Sequence, residues 1–139
     1  MKFCPLTITS SRLKRVARST FAAEMLVAVD AMDKAIALNG VLSELLHGDP
    51  KSYRHPASLF CDCMSVIANC QVTCPHQLEK RLKLDLLSIR EAIEDQLIRI
   101  RWLNTNEQLA DPMAKFEIGL ATNLGKTISE GATDVSLYK

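Results

Sequence analysis

The sequence predicts a single α/β layered domain, and three observations lead to it. Apolar residues recur at three- and four-residue spacing in two long segments, 21–36 and 78–93. Short alternating or apolar runs at 6–10, 57–61 and 97–103 read as strands. The two kinds of segment alternate along the chain, which is the pattern of helices layered on a sheet. A chain of 139 residues suits one domain, and a hydrophobic share of 47% is enough to build its core.

The elements follow in order. Residues 6–10 alternate apolar and polar, a short strand signal, and a basic loop comes next. Ser19 or Thr20 can cap a long helix that runs to about Leu46. Its buried stripe is Phe21, Met25, Ala28, Val29, Met32 and Ile36, and Asn39-Gly40 is the point where it would bend or break. Residues 48–56 read as a surface loop, 57–61 as a buried strand and 63–69 as a brief helix. Pro75 marks a break, and 77–95 is strongly helical, with Leu78, Leu82, Leu86, Ile89 and Ile93 facing inward. Ile98, Ile100 and Trp102 alternate with Arg99 and Arg101, so 97–103 is a strand with one wet face. Residues 104–108 form a loop or first turn, 112–116 open a last helix, and 117–139 are expected to be a flexible tail.

Charge and cysteine content narrow the function classes. A net charge of +1 argues against a general nucleic-acid sponge. The charges are nevertheless clustered: Arg12, Lys14, Arg15 and Arg18 form a basic group with no acid among them, and Lys80, Arg81 and Lys83 form a second. Each is either a solvated surface or a phosphate contact beside an acidic site. Five cysteines cannot all pair within the chain, and nothing near the start reads as a signal peptide. The expectation is reduced thiols in the cytoplasm or nucleus, not secretion. The longest apolar region, 21–46, contains Glu24, Asp30, Asp33, Lys34 and Glu44, which argues against a membrane span.

Three acids stand in distinctive settings: Glu24, Asp62 and Asp111. On a helical wheel Glu24 lies roughly 90° from the middle of the apolar stripe and roughly 130° from the polar face of Asp30, Asp33 and Lys34. Its alternative is a capping box, but that needs the acid three residues after the cap, at Ala22 or Ala23. Asp62 ends an apolar strand, where ligands gather in open α/β sheets, and its alternative is an N-cap. Asp111 precedes Pro112, a standard helix start whose carboxylate keeps a free face for a metal. Carboxylates gathered by a fold can hold two Mg²⁺ ions about 3.5–4 Å apart, which activate a water and neutralise the leaving oxygen in phosphodiester hydrolysis.

Taken together, these segments resemble the ribonuclease H domain of copia-type retrotransposon Pol polyproteins. Residues 10–24, with Val16-Ala17-Arg18-Ser19-Thr20 and Ala23-Glu24, resemble the stretch leading into that family's glutamate helix. Leu59-Phe60-Cys61-Asp62 resembles its second metal-binding strand end. Arg101-Trp102-Leu103 followed by residues 108–115 resembles its closing strand and "Ala-Asp…Thr-Lys" element. The match covers about residues 4–116, and the resemblance implies a partial ribonuclease H-like domain there, a short mixed sheet flanked by helices. It also implies that Glu24, Asp62 and Asp111 are catalytic metal ligands for Mg²⁺ or Mn²⁺. The substrate would be the RNA strand of an RNA–DNA hybrid, with Arg12, Lys14, Arg15 and Arg18 as nucleic-acid contacts. An upstream reverse transcriptase segment is an expected partner.

The chain departs from the family pattern at several points. Lys83 stands two before Asp85 where many members have His-x-Asp, Ala114 replaces the usual Thr, and Leu13 stands where Gln is common. The family's first two strands should precede residue 4, and the first carries the leading catalytic Asp. The expectation is therefore a truncated element, inactive or very weak alone, with an exposed edge on strand 57–61.

Two other readings come from the residues. Cys61, Cys63, Cys70, Cys74 and His76 offer zinc donors, although without the usual pair of Cys-x2–4-Cys knuckles. A non-catalytic helical interaction domain is the other, with exposed apolar surface leading to self-association.

Overall fold

A computed structural model describes residues 15–51, 55–71 and 79–105, together with Leu6, Thr7, Thr9, Leu13 and Gly125. The chain divides into two compact units, residues 13–102 and residues 1–12 with 103–139. Among the described residues, the first holds five elements: α1 (Thr20–His47), β1 (Ala57–Cys61), α2 (Met64–Gln71), α3 (Lys80–Glu94) and β2 (Ile98–Trp102). The order is mixed α/β, as the alternation of periods predicts. The helix expected from Pro112 and the boundary expected at residues 116–117 lie outside the described residues.

α1 starts where its cap chemistry says it should. Ser19 is extended, with φ −152 and ψ 161, and its hydroxyl accepts the Ala22 N–H at 3.1 Å. That satisfies one of the donors a helix start leaves open. Asn39 and Gly40 do not interrupt the helix. It ends at Gly48, which adopts φ 70 and donates its N–H to the Glu44 carbonyl at 2.8 Å. The left-handed conformation is the one glycine takes without a Cβ penalty.

β1 and β2 pair in parallel, with Ala57 opposite Ile98, Leu59 opposite Ile100 and Cys61 opposite Trp102. Parallel neighbours need a crossover, and α2 and α3 supply it. The turn from α3 into β2 is set by backbone bonds. Leu97 N–H reaches the Ala92 carbonyl at 2.9 Å and Gln96 N–H reaches that of Ile93 at 3.1 Å, with Gln96 at φ 58. This is a Schellman closure with glutamine where glycine is usual. Leu97 then accepts the Ala57 N–H at 3.0 Å, which starts the sheet.

Among the described residues the sheet has two strands and is parallel throughout, not mixed. Of the strand expected at 6–10, Leu6, Thr7 and Thr9 are described and none lies in a strand. Alternation is a side-chain pattern. A strand also needs a neighbour to bond.

The core draws on every element. Met25 and Met32 come from α1, Cys61 from β1, Val66, Ile67 and Cys70 from α2, Leu86, Ile89 and Ala92 from α3, and Ile98 from β2. Phe21, Ala28, Val29, Ile36, Leu82 and Ile93 pack on it half-buried, so the helical stripes read from spacing are the faces that turn inward. Burial pushes the Cys70 thiol up to about 11; the Arg90 charge opposes this and Cys61 adds to it.

Three outcomes follow from this packing. Leu86→Ala and Ile98→Ala, each emptying a fully buried site, are expected to lower unfolding free energy by about 2–5 kcal/mol in urea melts. Gln96→Gly is expected to raise it by about 1 kcal/mol, because the left-handed position then costs no Cβ strain. The neutral Cys70 thiol is favoured in the folded chain. Its contribution is therefore full below its ordinary value of 9.0 and is lost as pH rises through about 11. A Cys70→Ala variant should show a flatter fall in melting temperature over that window than the native chain.

Candidate metal centre

Glu24 is the fifth residue of α1, one turn beyond the Ser19 cap. The capping-box position belongs to Ala22, so Glu24 does not serve there. Its chain neighbour Met25 is wholly buried, and Ala28 packs half-buried on the core one turn on. Together they hold that part of α1 against the rest of the unit and leave Glu24 half-buried at the side of the stripe.

Asp62 lies just past the end of β1, in a bend. α2 begins at Met64, so Cys63 rather than Asp62 holds the flanking position, and its carbonyl accepts the Val66 N–H at 3.1 Å. Asp62 is half-buried and Cys61 is buried.

These segments converge. One oxygen of Glu24, one of Asp62 and the Sγ of Cys61 lie within 4.8 Å of one another. Burial raises the Cys61 thiol. A hydrogen bond from the Cys63 backbone opposes this, and the charges of Cys63, Glu24 and Asp62 raise it further. Two half-buried carboxylates so close repel each other, and a divalent cation between them relieves that repulsion. The carboxylates suit a hard ion such as Mg²⁺, whose preferred ligands are oxygens.

Sequence reasoning paired Glu24 with Asp62 and placed Cys61 only in the strand or among zinc donors. The signal for Cys61 was its adjacency to Asp62. Alternation sends consecutive strand residues to opposite faces, but the bend at Asp62 ends that rule. Asp111 lies outside the described residues, as do Arg12 and Lys14. Arg15 sits 3.4 Å from Asp85, with its side chain 64% exposed, and Arg18 is exposed directly before the helix cap. Lys80, Arg81 and Lys83 are exposed on the first turn of α3.

The separate cysteine cluster is not assembled among the described residues. Cys61, Cys63 and Cys70 do not form a metal-holding group there: Cys70 is in the core, and the Cys63 Sγ lies 3.1 Å from the Ser65 hydroxyl. Cys74 and His76 lie outside the described residues. No helix among the described residues is long and apolar enough to cross a membrane.

Comparison with known proteins adds one relation. Over 111 residues the chain is 28% identical to the Retrovirus-related Pol polyprotein from transposon RE2 of Arabidopsis thaliana. The similarity covers 80% of this chain and 7% of that polyprotein, so the chain spans a small fraction of its relative's length. It supports a distant relation to retrotransposon Pol polyproteins. No protein-family model matches the chain, and no solved structure matches it.

Mn²⁺ titrated into the purified chain and followed by loss of the free-ion electron paramagnetic resonance signal should show binding. Glu24→Gln or Asp62→Asn should weaken it by at least the about 10–100-fold that losing an outer-sphere partner costs. Unchanged affinity in both variants would remove these carboxylates from the centre.

Proposed function

We propose that this chain is a retrotransposon-derived, ribonuclease H-like domain that acts on the RNA strand of RNA–DNA hybrids. The observation that carries the reading is the meeting of Glu24 and Asp62. These acids come from separate segments and were singled out by their sequence surroundings, and their oxygens lie within 4.8 Å. The relation to a retrotransposon Pol polyprotein supports it, as does a carboxylate at the carboxyl end of a parallel strand.

Bound Mg²⁺ or Mn²⁺ would supply an activated water and a neutralised leaving oxygen. The chain's own residues do the positioning. Glu24 is carried by a helix anchored through Met25, and Asp62 by a strand fixed through its pairing with β2. Asp111 is the third ligand in this reading. Arg18 and Arg15, just before α1, would take backbone phosphates, with Arg15 exchanging its ion pair with Asp85 for the nucleic acid. Hybrid would be preferred over DNA duplex through 2′-hydroxyls exposed across a wide minor groove. The 139 residues hold three of the four acids the resemblance calls for, so turnover by this chain alone is expected to be weak or absent.

The test is a labelled RNA–DNA hybrid incubated with the purified chain and Mg²⁺ or Mn²⁺, read for both binding and cleavage. Expected are cation-dependent binding that favours hybrid over DNA duplex and little cleavage. Arg18→Ala should reduce the slope of log affinity against log salt by about 1. Robust turnover would refute the incomplete-site part of the reading, and equal binding to DNA duplex would refute the substrate.

A second reading, a non-catalytic interaction domain, draws on one observation. Leu45 and Leu46 on the last turns of α1 are 77% and 72% exposed, beside exposed Val41 and Leu42. A contiguous apolar surface of this kind favours self-association. Concentration-dependent elution on a sizing column, reduced by Leu45→Glu, would support it.

A further inference from the structure

We infer that Trp102 is a base-stacking platform beside the candidate centre, and that it directs the centre to hybrids with unpaired RNA next to the duplex. The inference rests on the hybrid-acting reading above and adds the form of substrate that the site takes. Its starting point is exposure. Ile98, Ile100 and Trp102 share one face of β2, because alternate strand residues point the same way. Ile98 is 1% exposed and Ile100 packs half-buried on the core, but Trp102 is 52% exposed. Tryptophan is highly buried on average, so an indole half in solvent at the end of a core-facing row is available to a ligand.

The register gives the indole its neighbours. Trp102 pairs with Cys61. Paired residues of adjacent strands point to the same face, on backbones about 4.8 Å apart. The Cys61 Sγ in turn lies within 4.8 Å of an oxygen of Glu24 and one of Asp62. The exposed ring therefore stands one strand away from the acid pair. Both are at the carboxyl end of the sheet, where ligands of open α/β sheets collect.

Charge selects the occupant. β1 and β2 contain no acid, and β2 carries Arg99 and Arg101. Neither arginine is ion-paired to a described residue. By alternation they lie on the other face from Trp102, so they supply an attractive field and not a contact at the ring. A ligand drawn to an exposed aromatic ring in a positive field has flat apolar faces and negative charge, and a nucleic-acid strand has both. Stacking on the ring requires a base with a free face. Inside a duplex neighbouring pairs cover both faces, so the ring takes an unpaired nucleotide. A base held on Trp102 places the nucleotides beside it at Glu24 and Asp62. The junction of single strand and hybrid is therefore the form that engages both.

The chain has one tryptophan, so its fluorescence reports on this platform alone. The purified full chain is titrated, with Mg²⁺ present, with a short single-stranded RNA, a hybrid bearing a single-stranded RNA extension, and a blunt hybrid of the same paired length. The first two should quench the emission and the blunt hybrid should change it little. Trp102→Ala should weaken binding of the extended hybrid about 5- to 150-fold, the effect of losing one stacked base. Trp102→Phe should restore most of that loss, and Leu84→Ala, at an exposed apolar site on α3, should leave binding unchanged. Circular dichroism of Trp102→Ala checks that its fold is kept. Equal quenching by the blunt hybrid, or unchanged emission with the extended one, overturns the inference. So does emission that shifts with chain concentration alone, which would make a second copy the occupant. If hybrid still binds better than DNA duplex in that case, the hybrid reading stands and only the platform is lost; if no probe binds, both fall.

Discussion

The candidate centre depends on the burial of Met25. This side chain is wholly buried in the core, and Glu24 precedes it on α1. Successive helical residues are turned by about 100°, so fixing Met25 inward fixes Glu24 at the side of the helix. There it meets the end of β1 and not solvent alone. Apolar packing at Met25 thus sets where the carboxylate stands. The strand end is fixed in turn by the β1–β2 pairing, which begins where Leu97 accepts the Ala57 N–H at 3.0 Å. Two independent pieces of backbone thus converge because each is fixed by its own interactions.

Convergence has an electrostatic cost. At a separation of 4.8 Å or less, two carboxylate charges repel by at least about 3 kcal/mol at an effective dielectric of about 20, and by about 1 kcal/mol in water. Both groups are half-buried, so the value falls between these limits. The Cys61 thiol adds no third charge while the site holds no cation, since burial and the two carboxylates keep it protonated. A divalent cation between the carboxylates would relieve that repulsion, and its binding would then be linked to folding stability.

Much of this was legible in the sequence, for identifiable reasons. The spacing of Met25 and Met32, and of Leu86 and Ile89, is a one-dimensional imprint of which helix face is buried, and the structure buries those residues. The cap of α1 was narrowed to Ser19 or Thr20 by their short hydroxyl side chains ahead of an apolar period, and the structure gives it to Ser19. Strands 57–61 and 97–103 showed as an apolar run and an alternation, and the structure forms them at Ala57–Cys61 and Ile98–Trp102. Their parallel pairing did not show, because register depends on the Schellman closure at Gln96, and glutamine is not a residue that announces a left-handed turn. For the run at 6–10 the described residues Leu6, Thr7 and Thr9 lie outside any strand; alternation records side-chain preference and says nothing about whether a partner strand is at hand. Asn39-Gly40 misled in the other direction: a helix anchored on both sides of a weak pair runs through it.

At the centre, the two acids were readable and the sulfur was not. Cys61 serves both a core and a donor group, and its apolar neighbours Leu59 and Phe60 mark it only for the core. A buried cysteine is most simply a small hydrophobe, and valine or alanine would fill that role without reactivity. Its distinct property is a polarisable sulfur, and here that sulfur lies within 4.8 Å of two carboxylates and accepts a backbone N–H. The sequence therefore records the core role of residue 61 plainly, while its nearness to the acids follows from the bend at Asp62, which only the fold reveals.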